Sequence, residues 1–147
     1  MPGNATIYIA DPSLLMSSRF FAALEGFQSY KGINNGDAVI GVRFILDAGQ
    51  VTMNFLPKEK MPQHLEELAG FAQNVIGDKD LLQYVQARIH YVRLVCGCVI
   101  TPDFDDDGKI EDFLFRFNRA VNGLLVGGDS IYDFDGQLLG GLPAEEG

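Results

Sequence analysis

The sharpest chemical signal in this sequence is a run of carboxylates between Asp103 and Gly108. The segment DFDDDGKI places acids at the first, third and fifth positions of a calcium-loop pattern and glycine at the sixth. Calcium is held by several hard oxygens around one point, and Asp103, Asp105 and Asp107 can supply them. The twelfth position, where a bidentate glutamate belongs, is Leu114. The competing interpretation is a solvated acidic loop whose charge favours the start of the next helix.

The other reactive side chains give no catalytic pattern. Cys96 and Cys98 lie two positions apart in an apolar run, so both point to one face of a predicted strand as buried small hydrophobes. His64 and His90 lie far apart, with no nucleophile beside either. No phosphate loop, dinucleotide fingerprint or nucleophile elbow occurs. The one cofactor that the sequence suggests is calcium. No motif indicates an enzyme, and a hydrolase that uses paired carboxylates, which needs no linear motif, stays a third interpretation.

Charge is distributed unevenly along the 147 residues. Residues 103–147 contain eleven Asp and Glu against three Lys and Arg and carry −8, whereas residues 1–102 carry only −1. A net charge of −9 argues against binding nucleic acid, which needs clustered basic residues, and against an anionic membrane surface. It favours a cationic protein partner, because a concentrated charge creates a field that selects partners.

These residues must be positioned by a chain of globular composition, with 47% hydrophobic and 21% charged residues. Periodicity, capping and turn residues define the elements. In order, they predict a strand over Thr6–Ala10, a helix from Asp11 to Gly26, a loop through Gly32–Gly36, a hairpin of Ala38–Leu46 and Val51–Leu56, helices over Pro62–Gly77 and Lys79–His90, a strand over Val92–Ile100, a helix over Lys109–Asn122, and a final hairpin that turns at Asp135 and Gly136.

The order of these elements predicts the α+β class. We expect a ferredoxin-like split β-α-β-β-α-β core, in which an antiparallel sheet carries its helices on one face, with an extra C-terminal helix and β-hairpin. Residues 1–147 are predicted to form a single domain, with residues 143–147 as a loose C-terminal end. No run is long and apolar enough for a membrane helix, and no secretory signal is expected. Two cysteines without a suitable pairing geometry favour a reducing cytoplasm.

The stretch from Val95 to Leu139 resembles small uncharacterised bacterial α+β proteins. The resemblance rests on a strand, an acidic loop, a helix that ends in the segment 122–125 (Asn-Gly-Leu-Leu), and an Asp-x-x-Gly-x-x-Leu hairpin at Asp133, Gly136 and Leu139. Some of these proteins look like accessory or immunity proteins encoded near toxin genes. The resemblance implies a small bacterial protein that binds another protein.

The sequence therefore favours a non-catalytic protein-interaction module, of the immunity-inhibitor type, that binds a cationic partner through an acidic C-terminal face. The expected contacts are Asp105, Asp106, Asp107, Glu111 and Asp129. Phe115 lies off the apolar stripe of its helix, so it either packs beneath the final hairpin or is an exposed aromatic anchor. A homodimer through an exposed strand edge is possible. The alternative function is a calcium- or small-ligand-binding domain.

Overall fold

The fold was obtained as a computed structural model, which describes residues 4–11, 27–35, 38–46, 49–101, 109–127 and 130–141. Eight strands form one sheet in the order β2-β3-β4-β5-β1-β6-β7-β8, and every neighbouring pair is antiparallel. The strands are β1 (Asn4–Ile9), β2 (Phe27–Asn35), β3 (Ala38–Leu46), β4 (Gly49–Phe55), β5 (Leu94–Thr101), β6 (Leu124–Gly127), β7 (Ser130–Tyr132) and β8 (Leu138–Gly140).

Within the described ranges, three α-helices accompany this sheet: α1 (Met61–Val75), α2 (Lys79–His90) and α3 (Lys109–Ala120). A short 3-10 turn over Lys58–Lys60 leads into α1. The side chain of Asp78 caps α2, because its Oδ1 accepts hydrogen bonds from the backbone N–H groups of Asp80 and Leu81 at 2.8 and 3.0 Å. No helix of the described residues has the length and apolar character required to cross a membrane.

The predicted hairpin at the centre of the sequence is confirmed. Strand β3 has the predicted bounds, and β4 begins two residues before the predicted start at Val51. Phe44 pairs with Val51, and both side chains are fully buried on one face. Arg43 and Asn54 occupy the alternate positions and are exposed. The alternation of apolar and polar side chains is therefore what fixes the register of this hairpin.

Strand β2 corrects one prediction, because Gly32–Asn35 were expected to lie in a loop. They instead pair with β3, from Gly32 opposite Val42 to Asn35 opposite Ala38. Irregularities in register occur between Phe27 and Ser29 and between Ile33 and Asn34. Glycine and asparagine weaken the strand pattern in the sequence, but β3 offers a long row of backbone groups that pairing satisfies.

The ferredoxin-like prediction is wrong, although the α+β class is confirmed. A ferredoxin-like core would place the first strand beside the second strand of the hairpin, whereas β5 lies between β1 and β4. Gly97 of β5 pairs with Asn54 on one side and with Thr6 on the other. Strand β5 takes this central position because its alternate residues are apolar and fully packed: Cys96, Cys98 and Ile100 are all buried.

The helices also lie on both faces of the sheet, not on one as expected. Helix α3 covers one face, where Phe113, Leu114 and Phe117 join the buried side chains of β1, β3, β4 and β5. Helices α1 and α2 cover part of the opposite face, where Leu68 and Val85 join those of β1, β5, β6, β7 and β8. Both faces of the central strands carry apolar residues, and each face therefore needs a helical layer.

Strand β8 ends the sheet against α1. The backbone N–H of Gly141 donates to the carbonyl oxygen of Val75 at 3.3 Å. A Cβ at Gly140 would lie 2.5 Å from Cγ1 of Ile76 and 2.9 Å from the oxygen of Val75, so glycine is required for this close approach. All described strands belong to one sheet; the single domain over residues 1–147 stays a prediction.

Several predicted segments lie outside the described residues. They are residues 12–26, which cover the helix expected from Asp11 to Gly26 except for Asp11 itself, and the loose end expected at residues 143–147.

Candidate functional site

The acidic segment joins the central strand to a well-packed helix. Strand β5 ends at Thr101 and α3 begins at Lys109, so the carboxylate run connects these two elements. The predicted contacts Asp105, Asp106, Asp107 and Asp129 lie outside the described residues, as does the candidate calcium ligand Asp103. At Glu111 the structure describes the backbone, which is helical.

The start of α3 bears on the calcium hypothesis. Lys109, the seventh residue of the twelve-residue pattern, is already helical, and the twelfth, Leu114, is fully buried in the core beneath α3. A calcium loop uses the carbonyl oxygen at position seven and a carboxylate at position twelve. Leu114 therefore supplies no ligand, and calcium binding by Asp103, Asp105 and Asp107 alone stays a prediction.

Phe115 packs beneath the C-terminal hairpin, which was one of its two predicted environments. Its ring meets that of Tyr132 edge-on, with 5.0 Å between the ring centroids and an interplanar angle of 89°. The side chain is half-buried. Phe115 therefore packs against β7 through Tyr132. Its role as an anchor for a partner stays a prediction.

Two acids of the C-terminal third are neutralised within the chain. Oδ2 of Asp112 accepts a 2.8 Å hydrogen bond from Nε of Arg116, one helical turn later on the exposed side of α3. Asp133 is buried at the end of β7 and faces Arg88. Asp133 is therefore withdrawn from a partner by burial, whereas Asp112 stays exposed with its charge offset by Arg116.

Asp133 is the centre of a polar cluster at one end of the sheet. We define the Asp133 cluster as Tyr84 and Arg88 of α2, Asn118 and Asn122 at the end of α3, and Asp133 and Phe134 of the final hairpin. The Tyr84 hydroxyl donates to Oδ2 of Asp133 at 2.7 Å, and the backbone N–H of Phe134 donates to Oδ1 at 2.8 Å. One carboxylate thus ties α2 to the hairpin.

Arg88 occupies the middle of this cluster. Its two terminal nitrogens donate to Oδ1 and to the backbone oxygen of Asn122 at 3.1 and 2.8 Å, and one lies 3.9 Å from Oδ1 of Asp133. Its Cζ is 5.9 Å from the ring centroid of Tyr84 and 5.6 Å from that of Phe134. The guanidinium therefore has hydrogen-bond partners in its plane and aromatic rings near it.

Asn118 extends the cluster into the core. It is fully buried, and its Nδ2 donates to the backbone oxygen of Asp133 at 3.1 Å. Its Oδ1 has no hydrogen-bond partner among the described residues. A Cβ at Gly123 would lie 2.5 Å from that oxygen, so the absence of a side chain at position 123 is what leaves room for Asn118.

The electrostatics of the cluster favour a structural role over proton transfer. Burial raises the pKa of Tyr84 above its usual value of 10.0, and the hydrogen bond and charge of Asp133 raise it further, while Arg88 acts in the opposite direction. Tyr84 therefore stays protonated at neutral pH and donates to a carboxylate that is already engaged. The arrangement holds three elements together and fixes the orientation of two rings.

Sequence reasoning missed this cluster. It predicted the turn at Asp135 and Gly136 correctly, since Gly136 has a φ of 89° and its N–H donates to the oxygen of Asp133. The same turn chemistry concealed a buried role for Asp133. The signal available in the sequence is that Asp133 stands between two aromatic residues, Tyr132 and Phe134.

The cysteines are buried, as predicted. Cys96 and Cys98 are free thiols on the face covered by α3, and the Cys98 thiol makes a long contact of 3.9 Å with the carbonyl oxygen of Cys96. The hydrogen bond from Cys98 and then burial raise the pKa of the Cys96 thiol well above its usual value. A thiol in this environment is a poor nucleophile.

An open groove of about 530 Å³ separates α1 from α2. Its lining residues are Pro62, Leu65, Glu66, Ala69, Gln86, Ile89 and His90. His64 is not among them, so the structure does not bring the two histidines together there. No group of three or more metal-ligating side chains occurs within the described part of the chain.

Comparison with known proteins found no relative. The chain matches no protein-family model, no curated protein and no solved structure.

Proposed function

We propose that this chain is a non-catalytic protein-interaction module of the immunity-inhibitor type, which binds a cationic partner protein in the cytoplasm. The observation that carries the proposal is the concentration of charge: −8 of the total −9 belongs to residues 103–147. Such a field accelerates the approach of a positively charged surface and disfavours negatively charged competitors.

The attachment of the acidic segment supports this proposal. Phe113, Leu114 and Phe117 are buried against the sheet, so α3 is a fixed element, and the carboxylates immediately precede it. The two elements that flank the acidic segment, β5 ending at Thr101 and α3 beginning at Lys109, are therefore both part of the packed fold. The contacts we propose are Asp105, Asp106, Asp107, Glu111 and Asp129, with Phe115 as the neighbouring aromatic residue.

A charge-matched pair of variants tests the proposal. We would compare the triple variant Asp105→Asn, Asp106→Asn, Asp107→Asn with the control Glu59→Gln, Glu66→Gln, Glu67→Gln, which removes the same charge from exposed residues around α1. Each tagged protein is used to capture binding proteins from an extract of its own cells at low and high salt. The expected result is a basic protein captured by the wild type and the control at low salt only.

Two outcomes would contradict the proposal. One is capture that is unchanged in the aspartate variant, because the acidic segment then makes no contribution. The other is capture that is equal at low and high salt, because electrostatic attraction then does not hold the partner.

The spacing of Asp103, Asp105 and Asp107 ahead of Gly108 favours calcium as a second candidate. A ligand that binds only the folded state raises the melting temperature. If Asp103, Asp105 and Asp107 bind calcium, millimolar calcium should raise the melting temperature of the wild type. It should not raise that of the triple variant Asp105→Asn, Asp106→Asn, Asp107→Asn, which lacks two of these three ligands. An unchanged melting temperature would rule the site out.

A further inference from the structure

Strand β2 forms one edge of the sheet and has β3 as its one neighbour among the described strands. At the other edge, β8 packs against α1. An edge strand presents backbone N–H and C=O groups to which a further strand can pair. Between the two irregularities in register, Ser29 to Ile33 pair with Ile45 to Gly41 without interruption. Strand β2 therefore offers a regular row of hydrogen-bonding groups to a strand of another molecule.

The charged residues of the eight described strands form a single cross-strand pair. These strands contain no Asp or Glu, and their bases are Lys31 and Arg43. Lys31 lies directly opposite Arg43 in the register of β2 and β3. The whole chain, in contrast, has 20 acids and 11 bases. Two bases thus stand side by side at the sheet edge of an acidic protein.

The described residues do not neutralise this pair. Arg43 is exposed and precedes the buried Phe44 in β3, so it lies on the face of the sheet opposite α3. Its neighbour in β4 is Thr52, and none of the described carboxylates forms an ion pair with it. Like charges directly opposite each other destabilise a sheet, whereas opposite charges stabilise it. A carboxylate on a strand added beside β2 would lie opposite Lys31 and offset the repulsion.

The same two charges discriminate between possible strands. A second copy of β2 would bring a further lysine and no acid to the edge. Lysine in an edge strand also discourages pairing with an uncharged strand, which cannot compensate its charge. Because specificity comes from repulsion of wrong partners as well as attraction of the right one, this edge favours a strand that carries an acid.

We propose that β2 binds an extended segment of another protein, which pairs with the sheet as a further strand and places an Asp or Glu opposite Lys31. This site is distinct from the acidic segment and does not depend on the proposed function. Main-chain hydrogen bonds supply the affinity, and the carboxylate selects the segment and its register.

The test uses a short peptide of alternating threonine and valine with blocked ends and a central glutamate, and the same peptide with a central lysine. Calorimetry would give the dissociation constants for the wild type, Lys31→Glu and the control Arg93→Glu, which changes an exposed base outside the strands. We expect the wild type to bind the glutamate peptide about 5-fold more tightly than the lysine peptide. Lys31→Glu should reverse this preference, and Arg93→Glu should keep it.

Two further measurements separate strand pairing from simple charge attraction. N-methylation of one alternate set of backbone nitrogens in the glutamate peptide should abolish binding, and methylation of the other set should not. Lys31→Glu should also raise the urea midpoint above that of the wild type, because a glutamate then lies opposite Arg43.

Four results would overturn the proposal. They are no binding of the glutamate peptide, equal affinity for the two peptides, an unchanged preference in Lys31→Glu, and binding that neither N-methylated peptide loses. Sedimentation of the wild type as a dimer that Lys31→Glu strengthens or leaves intact, and that the glutamate peptide does not dissociate, would assign the edge to a second copy and overturn it as well.

Discussion

The hydroxyl of Tyr84 and the carboxylate of Asp133, 49 positions apart in the sequence, meet at 2.7 Å. Through this contact α2, which belongs to one helical layer, is tied to the turn between β7 and β8. Arg88 and Asn118 bind the same hairpin from α2 and α3. The Asp133 cluster therefore joins both helical layers at one end of the sheet.

Replacement of Asp133 by Asn should destabilise the protein by about 1 to 2 kcal/mol. The variant removes a buried charge that faces Arg88 and weakens the acceptor for Tyr84. Urea unfolding followed by circular dichroism would measure the change. Asp135→Asn in the same exposed turn is the matched control and should change the free energy of unfolding by less than about 0.5 kcal/mol. Equal midpoints for the two variants would show that the cluster adds nothing to stability.

Gly123→Ala should destabilise the protein by about 2 kcal/mol, because an added methyl group overpacks the core. Its Cβ would lie 2.5 Å from Oδ1 of Asn118 and 3.0 Å from Cγ2 of Ile7. Thermal unfolding would report the loss. Gly70→Ala in α1 is the control with the opposite sign: its Cβ meets nothing within 4 Å, and alanine is the better helix former by about 1 kcal/mol. A neutral Gly123→Ala would contradict the tight packing described here.

Phe115→Ala should cost about 2 kcal/mol of stability, since it removes a half-buried ring and its edge-on contact with Tyr132. Tyr91→Ala truncates an aromatic residue that is 70% exposed and should leave the unfolding midpoint in place. If Phe115→Ala unfolds at the same urea concentration as the wild type, the ring does not stabilise the hairpin. The proposed contact with a partner would then be the remaining role for Phe115.

Alkaline pH should destabilise the protein through Tyr8. Burial, assisted by the charge of Glu67, raises the pKa of Tyr8 from 10.0 to about 12. The folded state therefore holds this proton more tightly than the unfolded state, so the stabilisation is complete below pH 10 and is lost as pH rises to about 12. The raised pKa of Tyr84 acts in the same direction.

Tyr8→Phe should make the fall in unfolding free energy between pH 10 and about 12 less steep, which urea titrations across this window would measure. Tyr91→Phe, at an exposed position, is the control and should follow the wild-type curve. If the unfolding free energies of Tyr8→Phe and the wild type fall in parallel with rising pH, the deprotonation of Tyr8 is not the cause of the alkaline destabilisation.

Local features of the sequence predicted most elements but not their arrangement. The hairpin β3–β4 followed from strand-forming residues on both sides of a turn, and α2 followed from the spacing of its apolar residues, because neighbouring residues determine both. Strand β2 could not be recognised, since its glycine and asparagine residues form a strand only because β3 is beside it. The position of β5 between β1 and β4 depends on how all the apolar faces are buried together, which no single segment reveals.

The same distinction between local and long-range features applies to the candidate site residues. The edge-on packing of Phe115 beneath the hairpin was one of two environments that its position on the helix allowed. The buried role of Asp133 was concealed, because its partners Tyr84 and Arg88 come from a helix more than forty positions earlier. A polar network between distant elements leaves no periodic pattern in the sequence.

The contact of α1 with the three-residue strand β8 limits how this sheet can extend. Among the described strands, β2 has only β3 as a neighbour, whereas the opposite margin is closed by Val75 and Ile76. Within the described part of the chain, the sheet edge that remains for a further strand is therefore that of β2. If two molecules paired through their β2 strands, the remaining edge of each sheet would be β8, which packs against α1. Strand pairing between molecules would then end at a dimer and would not extend into a fibre.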